Sequence, residues 1–130
     1  MGKLLDKKPD IYVAGWEEKA NGKSVAILWK NGKAQILSNK RNYAKAFHVY
    51  VADENVYVAG VEENTQGTYI AKLWKNGIAQ DLTDGNYKAE AYSVFVSGND
   101  SYGALLWKNG LVHQLTDGDS DVVANCVFVK

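Results

Sequence analysis

Short hydrophobic runs separated by glycine, asparagine and aspartate follow one another along the chain from residue 10 onward. Clear examples are residues 56–60, 69–74 and 78–82, which are rich in Val, Tyr, Ile and Leu. Runs of this length between turn-forming residues predict β-strands. No segment keeps the period of 3.6 residues that an amphipathic helix requires. The pattern therefore predicts an all-β fold.

An internal repeat organises these runs. The pentapeptide Leu-Trp-Lys-Asn-Gly occurs at residues 28–32, 73–77 and 106–110, at intervals of 45 and then 33 residues. A Tyr-Val-Ala-Gly strand precedes the first two copies at the same distance, within residues 11–15 and 56–60. The third copy has no such run, and its absence accounts for the shorter interval. Self-similarity at this period is typical of repeat architectures.

A full unit contains four predicted strands, which we name a to d in chain order. In the sequence they are best seen as run a (92–96), run b (56–60), run c (69–74) and run d (78–82). After an N-terminal tail of residues 1–9, the single repeat domain 10–130 divides into units of about 10–45, 46–90 and 91–130. The chain opens on a run b and closes on a run a, at residues 127–130. We therefore expect this last strand to complete the first unit, which would otherwise keep a bare sheet edge.

The connection between runs c and d is an Asn-Gly pair in all three units. Asn-Gly between two strands predicts a type I′ hairpin turn, because both central residues need a positive φ. A two-residue loop also sets the register of the hairpin. It places each repeated tryptophan opposite a smaller side chain, in the pairs Trp29–Ala34, Trp74–Ala79 and Trp107–Val112.

Across residues 10–130 this order of motifs resembles the bacterial HAF-type propeller repeats and the related LWxNG repeats of Bacteroidetes surface proteins. The resemblance implies β-propeller blades of four antiparallel strands. Propellers have about four to eight blades, so three units do not close a ring of ordinary size. We expect two chains to form a six-bladed ring by exchanging a terminal strand. A fragment of a longer propeller and a β-trefoil are the alternatives, and the shortened third unit disfavours the trefoil.

Composition excludes several classes of protein. Lys plus Arg and Asp plus Glu both total 15, which argues against a nucleic-acid binder and a polybasic membrane-surface module. No apolar stretch reaches the length of a transmembrane helix, so we expect no membrane insertion. The single cysteine, Cys126, forms no intramolecular disulfide. The N-terminus is too short and polar for a signal peptide. The protein is therefore expected in the cytoplasm, or outside the cell if a signal was removed, as the resemblance implies.

Catalytic and metal-binding patterns are weak in this sequence. His48 aligns with Ser93 and Cys126 in run a, but equivalent positions of a repeat are held apart rather than brought into one catalytic group. His113 falls on run d and is expected to face solvent. The acidic loop 117–121 lacks the spacing of a calcium-binding loop and predicts a turn. These patterns predict no enzyme activity, no cofactor and no metal.

Aromatic residues beside amides are the best candidates for ligand binding. A tryptophan face can hold a sugar ring by CH–π stacking while neighbouring amides bond its hydroxyl groups; the same rings also suit strand packing or a protein interface. The hairpin pairing already accounts structurally for the repeated tryptophans. The sequence leaves two roles open for Trp16: a contact made from a loop, or a side chain that fills the space between two units. The candidate ligand-binding residues are Trp16, Trp29, Trp74, Trp107, Asn31, Asn76 and Asn109.

Two functions follow from these predictions. The first is a non-catalytic binding module, lectin-like or protein-binding, whose repeated shallow sites give avidity. The alternative is a purely structural element that forms homodimers by strand exchange and holds no small ligand. A hydrolase would need convergent titratable groups, and the sequence offers none with a recognisable spacing. The fold alone does not decide between these functions, because propellers host many.

Overall fold

The protein is built from β-strands. The computed structural model describes residues 8–86, 88–97, 100–103, 107–108, 111–112 and 122–124, with side chains described at 8–86 and 88–94. Every regular element in these ranges is a strand, which confirms the predicted all-β fold. Within the same ranges, no helix has the length and apolar character that a bilayer crossing requires.

Two antiparallel sheets carry the first two units. The first sheet has three strands in the order β1 (Tyr12–Glu18), β2 (Ser24–Lys30) and β3 (Lys33–Ile36). The second sheet has four strands in the order β4 (Ala44–Ala52), β5 (Asn55–Glu63), β6 (Tyr69–Lys75) and β7 (Ile78–Asp81). The first sheet thus contains runs b, c and d, and the second contains runs a to d. Each strand pairs with the next one along the chain.

The predicted c–d hairpins are confirmed. Asn31 and Asn76 have φ values of 52° and 51°, and the glycines that follow them have 81° and 83°. Positive φ at both central residues is the mark of a type I′ turn, whose twist matches that of the flanking strands. The predicted register is also observed, with the Cα partners Trp29–Ala34, Trp74–Ala79 and Trp107–Val112.

The second sheet is covered on both faces. One face packs against the first sheet through alternate residues such as Val58 and Trp74, which meet Ala26 and Leu28 of β2. The opposite face, which includes Tyr57, packs against the strands that follow β7. Successive side chains of a strand point to opposite faces, so burial of both explains why run c alternates so weakly. Small alanine side chains at these contacts let the layers approach closely.

A bulge interrupts strand a. In the pairing of β4 with β5 the register shifts between Ala46 and His48, so Phe47 is the additional residue. In the next unit the same run divides into β8 (Ala89–Ala91) and β9 (Val94–Ser97). The predicted single strand over residues 92–96 is therefore corrected to two shorter strands. The physical reason is that a bulge residue lacks a partner in the ladder and bends the strand.

The sequence predicts that the third unit lacks strand b, and this prediction is wrong. The structure has a strand at that position. β10 (Asp100–Gly103) pairs antiparallel with β9, and Ser97 faces Asp100 as Ala52 faces Asn55 in the second unit. Only two residues connect β9 to β10, which is enough for a hairpin but not for the crossover that a parallel pair requires. The unit therefore builds strand b from residues that align with the start of run c. β11 (Trp107–Lys108) and β12 (Leu111–Val112) form its c–d hairpin.

One strand pair departs from the predicted antiparallel pattern. β13 (Val122–Ala124) pairs in parallel with β8, and Ala124 faces Ala91. These two alanines occupy equivalent positions in the repeat, so equivalent strands of consecutive units meet side by side. Residues 127–130, which the sequence predicts to complete the first unit, lie outside the described residues, as do residues 1–7 of the predicted tail.

Candidate functional site

The first two repeated tryptophans, Trp29 and Trp74, each cover a glycine on the neighbouring strand b. A Cβ atom added to Gly15 would lie 3.0 Å from Cζ3 of Trp29, and one added to Gly60 would lie 2.9 Å from Cζ3 of Trp74. Trp74 is fully buried between the two sheets, whereas Trp29 is half-buried. An aromatic ring over a strand glycine restores packing that the glycine cannot supply. Sequence reasoning missed this pairing, although the glycine and the tryptophan both stand at fixed places in the repeat.

In the first two units, the turn asparagines Asn31 and Asn76 tie the c–d hairpin to the start of strand b. The side-chain oxygen of Asn31 accepts a hydrogen bond from the Ile11 amide at 2.8 Å, and its Nδ2 donates to Oδ1 of Asp10 at 3.0 Å. Asn76 repeats both bonds, with the Val56 amide at 2.9 Å and Oδ1 of Asn55 at 3.0 Å. The backbone amides of Asn31 and Asn76 also donate hydrogen bonds, to the carbonyl oxygens of Ile11 and Val56 respectively, both at 2.8 Å. Both asparagines therefore have a structural task.

The side chains of Trp107 and Asn109 lie outside the described residues. The structure thus places four of the six repeated candidates, namely Trp29, Trp74, Asn31 and Asn76, within the packing of sheets and turns. Their role in ligand binding stays a prediction. The remaining candidate, Trp16, has a different environment.

Trp16 joins the two sheets and also faces solvent. It is 41% exposed, and its ring meets Phe47 edge-to-face with centroids 5.8 Å apart. The ammonium group of Lys45 lies 4.4 Å from the centroid of the Trp16 ring. The sequence left Trp16 open between a loop contact and a plug between units. The structure places it on β1, where it contacts Phe47 of the second sheet and stays partly exposed.

Further aromatic rings extend this surface across the units. Phe47 stacks on Tyr92 with centroids 4.3 Å apart, and Tyr43 stacks on Tyr69 at 4.9 Å. Lys45 connects the two groups, because its ammonium lies 5.2 Å from the Tyr43 ring as well as over Trp16. Lys88 lies 5.0 Å from the ring of Tyr69. We name this surface the aromatic ridge, defined as Trp16, Tyr43, Lys45, Phe47, Tyr69, Lys88 and Tyr92.

The bulge in strand a positions the centre of the ridge. Phe47 is the bulge residue of β4, and Tyr92 stands at the equivalent place between β8 and β9. Their neighbours Ala46 and Ala91 are fully buried, while both rings are only half-buried. The pairs Ala46-Phe47 and Ala91-Tyr92 are the feature of the sequence that marks this position. The pattern predicts a continuous strand, so it reveals neither the bulge nor the contact between units.

A hydrogen bond holds Tyr92 in place. Its hydroxyl donates to Oε2 of Glu90 at 2.7 Å. This bond, together with burial and the negative charge of Glu90, raises the pKa of Tyr92 to about 12. The hydroxyl therefore stays protonated at neutral pH and keeps donating to the carboxylate.

The lysines of the ridge contact rings rather than carboxylates. Among the described residues neither Lys45 nor Lys88 lies within ion-pair distance of a carboxylate. Lys72, by contrast, contacts Glu62 at 3.3 Å and also Asp81. An ammonium over an aromatic face is attracted by the electron density of the ring. Each ridge lysine thus remains available to a ligand anion.

His48, which aligns with Ser93 and Cys126 in run a, bonds to the backbone of the next unit. Its Nδ1 accepts a hydrogen bond from the amide of Val94 at 3.3 Å, and burial lowers the pKa of His48 below its ordinary value of 6.5. Ser93 is buried, and Cys126 lies outside the described residues. The bond to a backbone amide gives His48 a role in packing β4 against β9.

Comparisons with known proteins do not add to this geometry. No protein-family model, curated protein or solved structure matches the chain. The resemblance to HAF-type repeats therefore stays a prediction from the sequence. The function has to be argued from the side chains themselves.

Metal ligands do not gather in the part of the chain that the structure describes, where no group of three or more His, Cys, Asp or Glu side chains could hold an ion. The acidic loop 117–121 and His113 lie outside that part. The aromatic ridge is thus the candidate functional site. It offers apolar ring faces, two ammonium groups and tyrosine hydroxyls. Groups of these kinds can bind a ligand by packing, charge and hydrogen bonds.

Proposed function

We propose that the protein is a non-catalytic, lectin-like binding module that holds a carbohydrate on the aromatic ridge. The observation that carries the proposal is the continuity of this surface, in which Trp16, 41% exposed, meets both Phe47 and Lys45. The ridge draws its side chains from all three sequence units. A group of aromatic rings in contact, half-buried except for the exposed Trp16, is typical of a recognition site.

The chemistry of the ridge suits a sugar. The C–H face of a pyranose packs on an aromatic ring, while its hydroxyl groups need hydrogen-bond partners at the edge of the site. Tryptophan and tyrosine supply both functions, because each has an apolar body and one polar atom. The lysines beside the rings add further donors.

A glycan array tests the proposal with three proteins. We expect the full chain to retain a defined set of glycans, and Trp16→Ala to weaken this binding about tenfold, which corresponds to roughly 1.4 kcal/mol. Ile78→Ala is the matched control, since Ile78 is 75% exposed on β7 and is not one of the ridge residues. It should bind like the parent protein. Failure of the parent protein to retain any glycan would count against the proposal, as would equal binding by Trp16→Ala.

A second candidate is the structural element that assembles by strand exchange, and the first sheet favours it. Among the described strands β1 pairs only with β2, and two apolar side chains there are exposed: Ile11, just before β1, at 63% and Val13, within β1, at 51%. Unpaired strand edges with apolar side chains invite another strand. We infer that residues 127–130 of a second copy lie beside β1, so that two chains complete a six-bladed propeller.

Light scattering coupled to gel filtration tests the assembly. A mass twice the 14.3 kDa of the chain is the expected result. A monomer would contradict the strand-exchanged dimer and favour the trefoil alternative. This outcome leaves the glycan-binding proposal standing, since the aromatic ridge is complete within one chain.

A further inference from the structure

The two ridge lysines are placed where a ligand can carry negative charge. Lys45 faces two rings, at 4.4 Å from Trp16 and 5.2 Å from Tyr43, and Lys88 faces Tyr69 at 5.0 Å. Because Tyr43 stacks on Tyr69, each ring of this pair carries one ammonium group. Contact with a ring leaves N–H donors of each ammonium free.

Neighbouring lysines show how the protein neutralises charge elsewhere. Lys72 contacts Glu62 at 3.3 Å, Lys23 contacts Glu63 at 3.2 Å, and both pairs lie on strands next to the ridge or in the adjoining turn. The carboxylates of Glu62 and Glu63 are thus engaged by other lysines. Lys45 and Lys88 have no such partner among the described carboxylates.

A further carboxylate next to the ridge is also engaged. Glu90 accepts the hydrogen bond of the Tyr92 hydroxyl at 2.7 Å, and it stands at the repeat position that Lys45 occupies in the preceding unit. The two charged members of the ridge, Lys45 and Lys88, are both cations, and neither forms an ion pair with a described carboxylate.

We propose that the ligand is an acidic polysaccharide that packs a sugar ring on the exposed Trp16 while its carboxylates pair with Lys45 and Lys88 beside the stacked tyrosines. This inference rests on the proposed carbohydrate-binding function and adds the class of sugar. The aromatic ring is expected to bind the C–H face of the sugar. The ammonium groups are expected to favour uronic acids over neutral sugars, because they can pair with a carboxylate.

The test compares a galacturonic acid oligosaccharide with its methyl ester, which keeps the sugar ring and removes the charge. Calorimetry on the full chain should show at least tenfold tighter binding of the acid form, and this preference should shrink as salt is added. Equal affinity for acid and ester would overturn the charge preference and leave carbohydrate binding intact. No binding of either form, together with an empty glycan array, would overturn both proposals.

Lysine variants locate the effect on the ridge. Lys45→Met and Lys88→Met keep the apolar stem and remove the charge, and each should weaken binding of the acid form at least fivefold. Lys75→Met is the matched control, because Lys75 also lies over a ring, 5.6 Å from Tyr57, but outside the ridge. An equal loss in Lys75→Met would show non-specific charge attraction and contradict the proposal. Equally tight binding of an oligoglutamate peptide would contradict it as well, since the sugar would then be irrelevant.

Discussion

Gly60 shows how a single missing side chain supports two features of the fold. A Cβ atom at this position would overlap the carbonyl oxygen of Lys45 and lie 3.0 Å from Cα of Ala46, in addition to 2.9 Å from Trp74. The strand a bulge begins directly after Ala46. Gly60 therefore makes room both for the buried tryptophan and for the bulge that positions Phe47 on the ridge.

Gly60→Ala is expected to destabilise the protein by about 2–3 kcal/mol, because the new methyl group meets backbone atoms that have no room to shift. Gly15→Ala is the matched control. Its Cβ would meet only the half-buried ring of Trp29, at 3.0 Å, so a smaller loss is expected. Urea unfolding of both variants measures the difference. Similar midpoints for Gly60→Ala and the parent protein would refute the packing argument.

The hydrogen bond of His48 predicts an acid-sensitive stability. Burial lowers the pKa of His48 from 6.5, so the unfolded chain binds the proton more readily than the folded chain. Stability is therefore retained above pH 6.5 and lost as the pH falls through the lowered pKa of the folded state. Protonated Nδ1 also becomes a donor that opposes the Val94 amide.

Urea midpoints of the parent protein and His48→Gln between pH 5 and pH 8 test this dependence. Glutamine keeps a side-chain oxygen that can accept the bond and takes up no proton. We expect the parent protein to lose stability toward pH 5 more steeply than His48→Gln. Parallel pH profiles for the two proteins would show that another group is responsible.

At the level of strands and turns, the Asn-Gly connection does more than reverse the chain. Asn76 adopts φ 51° and fastens the hairpin to the first residues of β5 through two side-chain hydrogen bonds. Asparagine tolerates this left-handed conformation better than most residues. One residue thus controls the turn and the register between strands b and c.

Asn76→Ala is expected to lose about 1–2 kcal/mol, since it removes both bonds and places a Cβ-bearing residue with no compensating bond at positive φ. Asn76→Gly relieves the φ strain and loses only the bonds, so its loss should be smaller. Asn76→Asp keeps the acceptor for the Val56 amide and should fall nearest to the parent protein. Thermal unfolding of the three variants ranks them. A different ranking would mean that the side-chain bonds do not hold the turn.

The third unit shows how connection length overrides sequence alignment. Residues 101–103 align with the start of run c, yet in the structure they belong to β10 and pair with β9 as a strand b. The two-residue connection after β9 allows only an antiparallel partner. A deletion within a repeat is thus absorbed by reassigning residues rather than by omitting a strand.

Across the complete chain, the units are held together by stacked layers. Both faces of the second sheet are buried, one by the first sheet and one by β8 and β9. β8 in turn pairs with β13, so the last described strand is joined to the start of the third unit. β1 is the strand b of a unit that has no described strand a, and it is where we propose that a terminal strand pairs.

Deletion of residues 127–130 tests this expectation. We expect the shortened chain to dissociate or to unfold at a lower temperature, because the first sheet would lose the strand proposed to cover β1. Removal of residues 1–4, in the predicted N-terminal tail, is the matched control. It should leave the number of chains per particle and the melting temperature unchanged. If the C-terminal deletion also leaves both unchanged, the strand-completion proposal is wrong.

Local patterns were sufficient for the fold class and for the c–d hairpins. Short hydrophobic runs and turn residues predicted the all-β fold, and Asn-Gly predicted the hairpins together with the register of Trp29 and Trp74. These features depend on residues close together in the chain, whose conformational preferences act without distant partners. Trp16 was also identified as a candidate from its sequence alone, because it departs from the repeat.

The aromatic ridge, in contrast, depends on contacts between units. Tyr92 is connected to Trp16 through the bulge residue Phe47, whereas the stacked Tyr43 and Tyr69 are connected to it through Lys45. A bulge changes the direction of a side chain without leaving a distinct hydrophobic pattern. The repeat thus predicts which strands form, whereas the packing of the sheets determines which side chains share a surface.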